Sequence, residues 1–359
     1  MREQTIRCVR FVLGLLLLLG VALTLGAPSA RSDVAGAYTV HNLNSNVPGL
    51  AAHQDPDLRN GWGIAEPTTG PWWVADNGTD KSTLYNADGT KRSLVVSIVN
   101  GAPTGTVFNG GSGFVVSANG NSGPALFIFA SESGTISGWN PNVDPTNSVI
   151  AVATAGAVYK GLALASKNGQ EQLYATDFVG GKVDVFNSTF GVGMATGGFV
   201  DPNLPSGYAP FGIAAVNGKL VVTFAKQEPG SEDELHHQGF GVVDEFDTDG
   251  NLITRIATHG QLNAPWGTAL APAGFGPFSG DLLIGNFGDG RINAFAQQPD
   301  GSWERAGGLS DSSGRAISID GLWGIGFGNN GAAGPSTTLY FAAGPNDEQD
   351  GLFGSITAN

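Results

Sequence analysis

The chain has 359 residues, 13% of them charged, and a formal net charge of −14 from 17 Lys and Arg against 31 Asp and Glu. Basic residues are sparse and unclustered, which argues against a nucleic-acid partner, because phosphate binding needs a basic footprint. The one cysteine, Cys8, lies within the first 30 residues, so the remainder has no disulfide framework, thiolate metal site or cysteine nucleophile.

Residues 1–30 carry the pattern of a targeting segment. Arg2, Arg7 and Arg10 give a positive start, Phe11 to Leu25 an apolar run, and Ala27-Pro28-Ser29-Ala30 small residues suited to cleavage. The apolar run is short beside the roughly 20 residues that cross a bilayer. The expectation is a signal peptide over 1–30 and a single domain over 31–359, secreted or periplasmic and free of the membrane after cleavage. Loss of three Arg and one Glu deepens the charge from −14 to about −16.

From there a small motif returns six times: a bulky residue, a glycine, two small or apolar residues, then a strand-like run. It reads Trp62-Gly63-Ile64-Ala65, Ser112-Gly113-Phe114-Val115, Lys160-Gly161-Leu162-Ala163, Phe211-Gly212-Ile213-Ala214, Trp266-Gly267-Thr268-Ala269 and Trp323-Gly324-Ile325-Gly326. The glycines are 50, 48, 51, 55 and 57 residues apart, a period of repeat architectures. Between them run short apolar stretches punctuated by Gly, Asn and Asp, with no long helical periodicity. The 56 glycines and 19 prolines agree with an all-β chain.

Two repeats match position by position, Thr176 to Phe186 against Gly285 to Phe295. Each repeat therefore reads as strand A (the glycine motif), strand B, a turn, strand C ending on an aromatic, and strand D. Six such units predict a six-bladed β-propeller with four antiparallel strands per blade. The last repeat lacks a D strand, while residues 37–43 form an orphan strand at the other end. Pairing the two closes the ring and hides the open edges. A β-solenoid is the competing architecture.

The runs Leu262 to Gly267, Ser279 to Phe295 and Gly344 to Ile356 resemble those of a family of uncharacterised exported bacterial proteins, some with a PEP-type C-terminal sorting signal. The resemblance covers essentially the whole chain after the targeting segment. It implies a six-bladed propeller of the NHL/TolB-like kind and no particular activity. Asn359 follows no apolar tail or basic stop, so secretion fits better than anchoring.

In a four-stranded blade the D–A and B–C connections emerge on one face, so residues there should converge at one mouth of the channel, where propeller ligands bind. Before strand A stand Asn60, Asn109, Lys160, Asn263 and Asp320. Asn60, Asn109, Asn263 and Asp320 offer the oxygen donors that a divalent cation such as calcium prefers. Calcium-dependent lactonase and phosphotriesterase-type propellers are similar in architecture, yet no glutamate stands at the mouth of blade 1; Glu66 falls at the far end of strand A. Asn-Gly and Asp-Gly pairs at 60–61, 109–110 and 320–321 are also ordinary turn formers.

At the end of strand B, Asp76, Asp177 and Asn286 recur in alternate blades. They read either as donors around the mouth or as caps on the B–C turn amides. Blade 4 carries a long loop, Lys226 to Gly239, that can act as a lid and holds His236 and His237 beside carboxylates. Such groups bind transition metals or move protons, although adjacent histidines in an extended loop point apart. Blade 6 has an acidic turn, Asn346 to Asp350. No Gly-x-Ser-x-Gly elbow, phosphate loop or His-Glu-x-x-His helix is present, and the tryptophans at 62, 266 and 323 read as packing between blades. The expected function is a monomeric binding or scaffold module for a small molecule, glycan or peptide. The alternative is a cation-dependent hydrolase or lactonase.

Overall fold

A computed structural model describes residues 38–359. The targeting segment and Ala37 lie outside the described residues.

Six small antiparallel sheets form a ring, a six-bladed β-propeller. Blade 1 comprises strands A to D at Gly61–Ala65, Trp72–Asp76, Lys81–Tyr85 and Lys91–Ser97. Blade 4 comprises Tyr208–Val216, Lys219–Lys226, Val242–Phe246 and Leu252–Thr258, and blade 5 Pro265–Leu270, Leu282–Asn286, Ile292–Gln297 and Trp303–Gly308. In blade 6, Leu322–Phe327, Leu339–Ala343 and Leu352–Ala358 take their fourth strand from the other end of the chain. Tyr38–Ser45 pairs antiparallel with Leu352–Ala358, from Tyr38 opposite Ala358 to Ser45 opposite Leu352. The orphan strand does close the ring.

The glycine motif exists because the innermost strands approach at backbone distance. A Cβ on Gly63 would lie 2.6 Å from Thr104 O, on Gly212 2.3 Å from Trp266 O, and on Gly324 2.6 Å from Trp62 O. No side chain fits such gaps, so each blade needs a glycine where it meets the next.

Two expectations require correction. Strand A of blade 2 is Pro103–Phe108, followed by Phe127–Ser131, Thr135–Trp139 and Val149–Ala153. Its glycine is Gly105, where a Cβ would lie 2.4 Å from Leu162 N, not Gly113. Gly113 instead leads into an inserted hairpin, Val115–Ala118 with Asn121–Pro124. The true motif, Thr104-Gly105-Thr106-Val107, carries threonine where the other blades carry a bulky residue. Thr104 spends its hydroxyl on Tyr159 O at 2.7 Å.

Blade 3 has only three strands, Tyr159–Lys167, Gln170–Asp177 and Lys182–Asn187. The segment that follows holds Gly191, Gly193, Gly197, Gly198, Pro202 and Pro205, residues that weaken or block a ladder. It contributes a single bridge, Phe186 to Val192. Between blades the seams are apolar; Leu283, Ile292, Leu322, Ile325 and Phe341 share one cluster where blades 5 and 6 meet.

Candidate functional site at the upper channel mouth

The residue before each glycine forms one layer across the channel: Trp62, Thr104, Lys160, Phe211, Trp266 and Trp323. Trp323 is sandwiched between Trp62, 3.5 Å away and 17° from parallel, and Phe287 at 3.8 Å and 19°. Trp266 stands edge-on to both tryptophans, and Phe211 tilts against Trp323. This aromatic layer divides the channel, and its upper side floors a cavity of about 250 Å³.

One member of the layer is charged. Lys160 is 1% exposed; its Nζ meets Glu132 Oε1 at 2.5 Å and Asp233 Oδ1 at 3.6 Å, and lies 5.2 Å from the centre of the Trp62 ring. Burial pulls its ammonium down, but Glu132 and Glu234 outweigh that and hold it above the ordinary lysine value. A polar chain continues around the mouth. Asn77 Nδ2 donates to Glu132 Oε2 at 2.8 Å, and Asn60 Nδ2 donates to Asn77 Oδ1 at 3.3 Å and to Glu348 Oε1 at 2.9 Å. Trp323 Nε1 donates to Asn60 Oδ1 at 3.2 Å. Blades 6, 1, 2 and 3 are thus tied together by side chains that compete for few protons.

The long blade 4 loop folds over the same cavity. A bridge between Gln227 and Glu234 and a bond from Leu235 N to Lys226 O give it internal order. His236 Nε2 lies 3.0 Å from Glu234 Oε1, and its ring stands edge-on to Phe287. The hydrogen bond with Glu234 raises the imidazole above its ordinary value, against burial. Burial raises the Glu348 carboxyl, with Glu234 adding repulsion and the Asn60 amide opposing it. The two histidines do diverge: His237 leans on Phe240 and bonds Gln238 O.

Of the residues expected at the mouth, Asn60, Lys160 and His236 come together there. Asn109 does not. It closes strand A of blade 2 at the opposite end and donates to Gly113 O and Ala125 O. Asp320 is turned outward and accepts the Asn346 N–H at 2.9 Å. Asn263 packs its amide against Gly288 in blade 5, its Oδ1 buried without a partner. The set Asn60, Asn109, Asn263 and Asp320 is therefore not assembled, and among the described residues no group of three or more His, Cys, Asp or Glu is placed to hold a metal.

At the end of strand B the turn-capping alternative describes Asp177 alone; Asn286 Oδ1 and both Asp76 oxygens are buried without a hydrogen-bond partner. Asp177 Oδ1 accepts the Val158 and Gly180 N–H groups, and Asn286 donates to Gln261 O and Asp289 Oδ1. Asp76 is fully buried within blade 1, and burial lifts its carboxyl well above the usual range. Successive side chains on a strand point to opposite sides, so the next residue, not the aspartate, faces the mouth. Asn77, Glu132, Phe178, Gln227 and Phe287 hold that following position in blades 1 to 5. Sequence reasoning missed Asn77 and Phe287 by this single step, and Glu132 by two, since it aligned Ala130 where the strand runs on to Ser131.

No protein-family model matches the chain. Uncharacterized protein L690 of Acanthamoeba polyphaga mimivirus is 35% identical over 347 residues, covering 92% of this chain and 88% of that protein. Uncharacterized protein R648 of the same virus is 34% identical, covering 89% of this chain and 80% of that protein. These relatives are viral, so the bacterial origin implied by the resemblance finds no support in them.

Among solved structures, the PQQ-bound aldose sugar dehydrogenase of Streptomyces coelicolor matches with a TM-score of 0.52 at 14% identity, over 93% of this chain and all of that one. Virginiamycin B lyase of Staphylococcus aureus matches at 0.50 and 15%, over 89% and 99%. At such identity the likeness is one of fold. No described helix is long and apolar enough to cross a membrane. The chain belongs to the family of the mimivirus proteins L690 and R648, and its described residues form a six-bladed β-propeller.

Proposed function

We propose that this propeller is a ligand-binding module whose upper mouth takes an ammonium or guanidinium group, from a free amine or a basic peptide side chain. One observation carries the reading. Four carboxylates, Glu228, Asp233, Glu234 and Glu348, line a cavity with an aromatic floor, against only Lys160, which is already paired with Glu132, and His236. Excess like charge at close range favours a ligand of opposite sign, and Phe287 offers a ring for cation contact. Lys160 already holds this position beside Trp62, an internal example of the recognition. The fold itself does not choose between binding and catalysis, since it also carries a lyase and a dehydrogenase.

Calorimetric titration with spermidine and with a trilysine peptide tests this. The expected result is binding that weakens with salt and falls by about tenfold for Glu234→Gln or Glu348→Gln. A preference between the probes identifies the ligand's source. No binding of either, or tight calcium binding lost in the same variants, would overturn the reading in favour of the cation-dependent alternative. We also take residues 1–30 as an export signal, which N-terminal sequencing of the mature protein tests.

A further inference from the structure

Away from the channel, a small pocket of about 130 Å³ opens on blade 5. Gln261 reaches it from the connection out of blade 4, Arg291 and Asn293 from the start of strand C, and Arg305 and Gly308 from strand D. Two guanidinium groups therefore share one hollow. Arg291 spends its main-chain N–H on Asp289 Oδ1 at 3.2 Å, and among the described residues its side chain meets no carboxylate and makes no hydrogen bond. Arg305 is held in place. Its Nε donates to Asn293 Oδ1 at 3.2 Å, and Asn293, 3% exposed, donates through Nδ2 to Gln261 O at 3.5 Å. A Cβ on Gly308 would stand 3.3 Å from Arg305 Nη2, so the bare glycine gives the guanidinium its room. The neighbouring carboxylates are engaged elsewhere. Asp289 also accepts the Asn286 amide, and Asp311 is paired with Arg315. Glu304 precedes Arg305 on strand D and so points to the other side of the sheet.

Like charges gathered at one pocket favour a ligand of opposite sign. A guanidinium offers its N–H donors as a planar fork that matches the oxygens of a phosphate or a carboxylate. With Nε committed to Asn293, Arg305 keeps both terminal nitrogens for such a ligand. Charge separates the two candidates. A phosphate monoester carries about −1.5 to −2 near neutral pH and answers both guanidinium groups, whereas a carboxylate leaves one unanswered. A pair of arginines in a hollow of this size takes one phosphate group, and is not the extended basic footprint of a nucleic-acid site.

We propose that this pocket is an anion site that holds a single phosphate group, free or as a small monoester, between Arg291 and Arg305. It shares no lining residue with the cavity at the channel mouth, so either site can fail alone.

The test is calorimetric titration of the folded chain with inorganic phosphate, glycerol phosphate and acetate, at constant ionic strength and about pH 7.5 where the phosphates are largely doubly ionised. Both phosphates should bind, and acetate about tenfold more weakly or worse. Tighter binding of glycerol phosphate identifies an ester as the ligand; tighter binding of inorganic phosphate identifies the free ion. Arg291→Gln and Arg305→Gln should each weaken phosphate by about tenfold. Both side chains are exposed, so thermal melting should show the two variants folded. Arg315→Gln removes the same charge from the neighbouring turn, where it already pairs with Asp311, and should leave phosphate binding unchanged. Glu348→Gln, at the channel mouth, should change none of this. Absence of phosphate binding, acetate bound as tightly as phosphate, binding insensitive to Arg291→Gln and Arg305→Gln, or an equal loss for Arg315→Gln would overturn the proposal.

Discussion

The aromatic layer parts two chambers, the mouth above and a cavity of about 370 Å³ below, lined by the A strands of all six blades, and their charge differs. Above the Trp62, Trp266 and Trp323 layer, turns and a long loop bring in Glu132, Asp233, Glu234, His236 and Glu348 around a buried lysine. Below it, regular strand positions line the cavity with main chain and aliphatic side chains, and Glu66 is its one ionisable group. The difference teaches where charge can be afforded in a propeller. Connections between strands tolerate irregular, polar sequence, whereas residues inside the ring are held to small and apolar side chains by close approach of neighbouring strands.

Removing the partition should have the largest effect. Trp323→Ala deletes a ring stacked on both faces, and truncation of a large buried aromatic costs about 3–5 kcal/mol. Urea unfolding should report a loss of that size. An unchanged midpoint would show that the layer is not the structural divider.

Next is the charge that separates the chambers. Lys160→Met leaves Glu132 without its cation and should cost about 3 kcal/mol. Adding Glu132→Gln should restore part of that loss, since the stranded carboxylate is then gone. A double variant no more stable than the single one would break the argument that the pair is coupled.

The smallest effect belongs to Glu66 and depends on pH. Its folded carboxyl is raised to about 7, so the neutral form is favoured in the folded state. The associated stability is fully present below the unfolded value near 4.3 and is lost as pH rises through 7. Glu66→Gln should therefore be neutral at about pH 4 and stabilising by about 1–3 kcal/mol at about pH 8. Equal stabilisation at both values would show that the carboxyl is not desolvated as described.

The ring was readable from the glycines, because a backbone contact that excludes Cβ leaves a residue-type signature at a regular interval. Blade 2 escaped that reading, since Gly113 supplied a false match while Gly105 hid between two threonines. The candidate site was readable only in part. Asn60 and Lys160 are set beside strand A by the repeat itself. Asn77 was passed over because Asp76, one step earlier, is the more conspicuous residue, although it turns into the blade; Glu132 was passed over because the alignment of blade 2 stopped at Ala130, two residues short of it. Glu66 was placed at the far end of its strand, and the structure gives that end a chamber.

Strand alternation, turn composition and the recurring glycine are local properties, written residue by residue, and they fix the blades and their number. Which charges meet is decided by closure of the ring. It brings Asn60 beside Glu348, 288 positions away, and seats Lys160 against a carboxylate from the neighbouring blade. The protonation states follow from that same closure, because desolvation belongs to the assembled channel and to no segment alone.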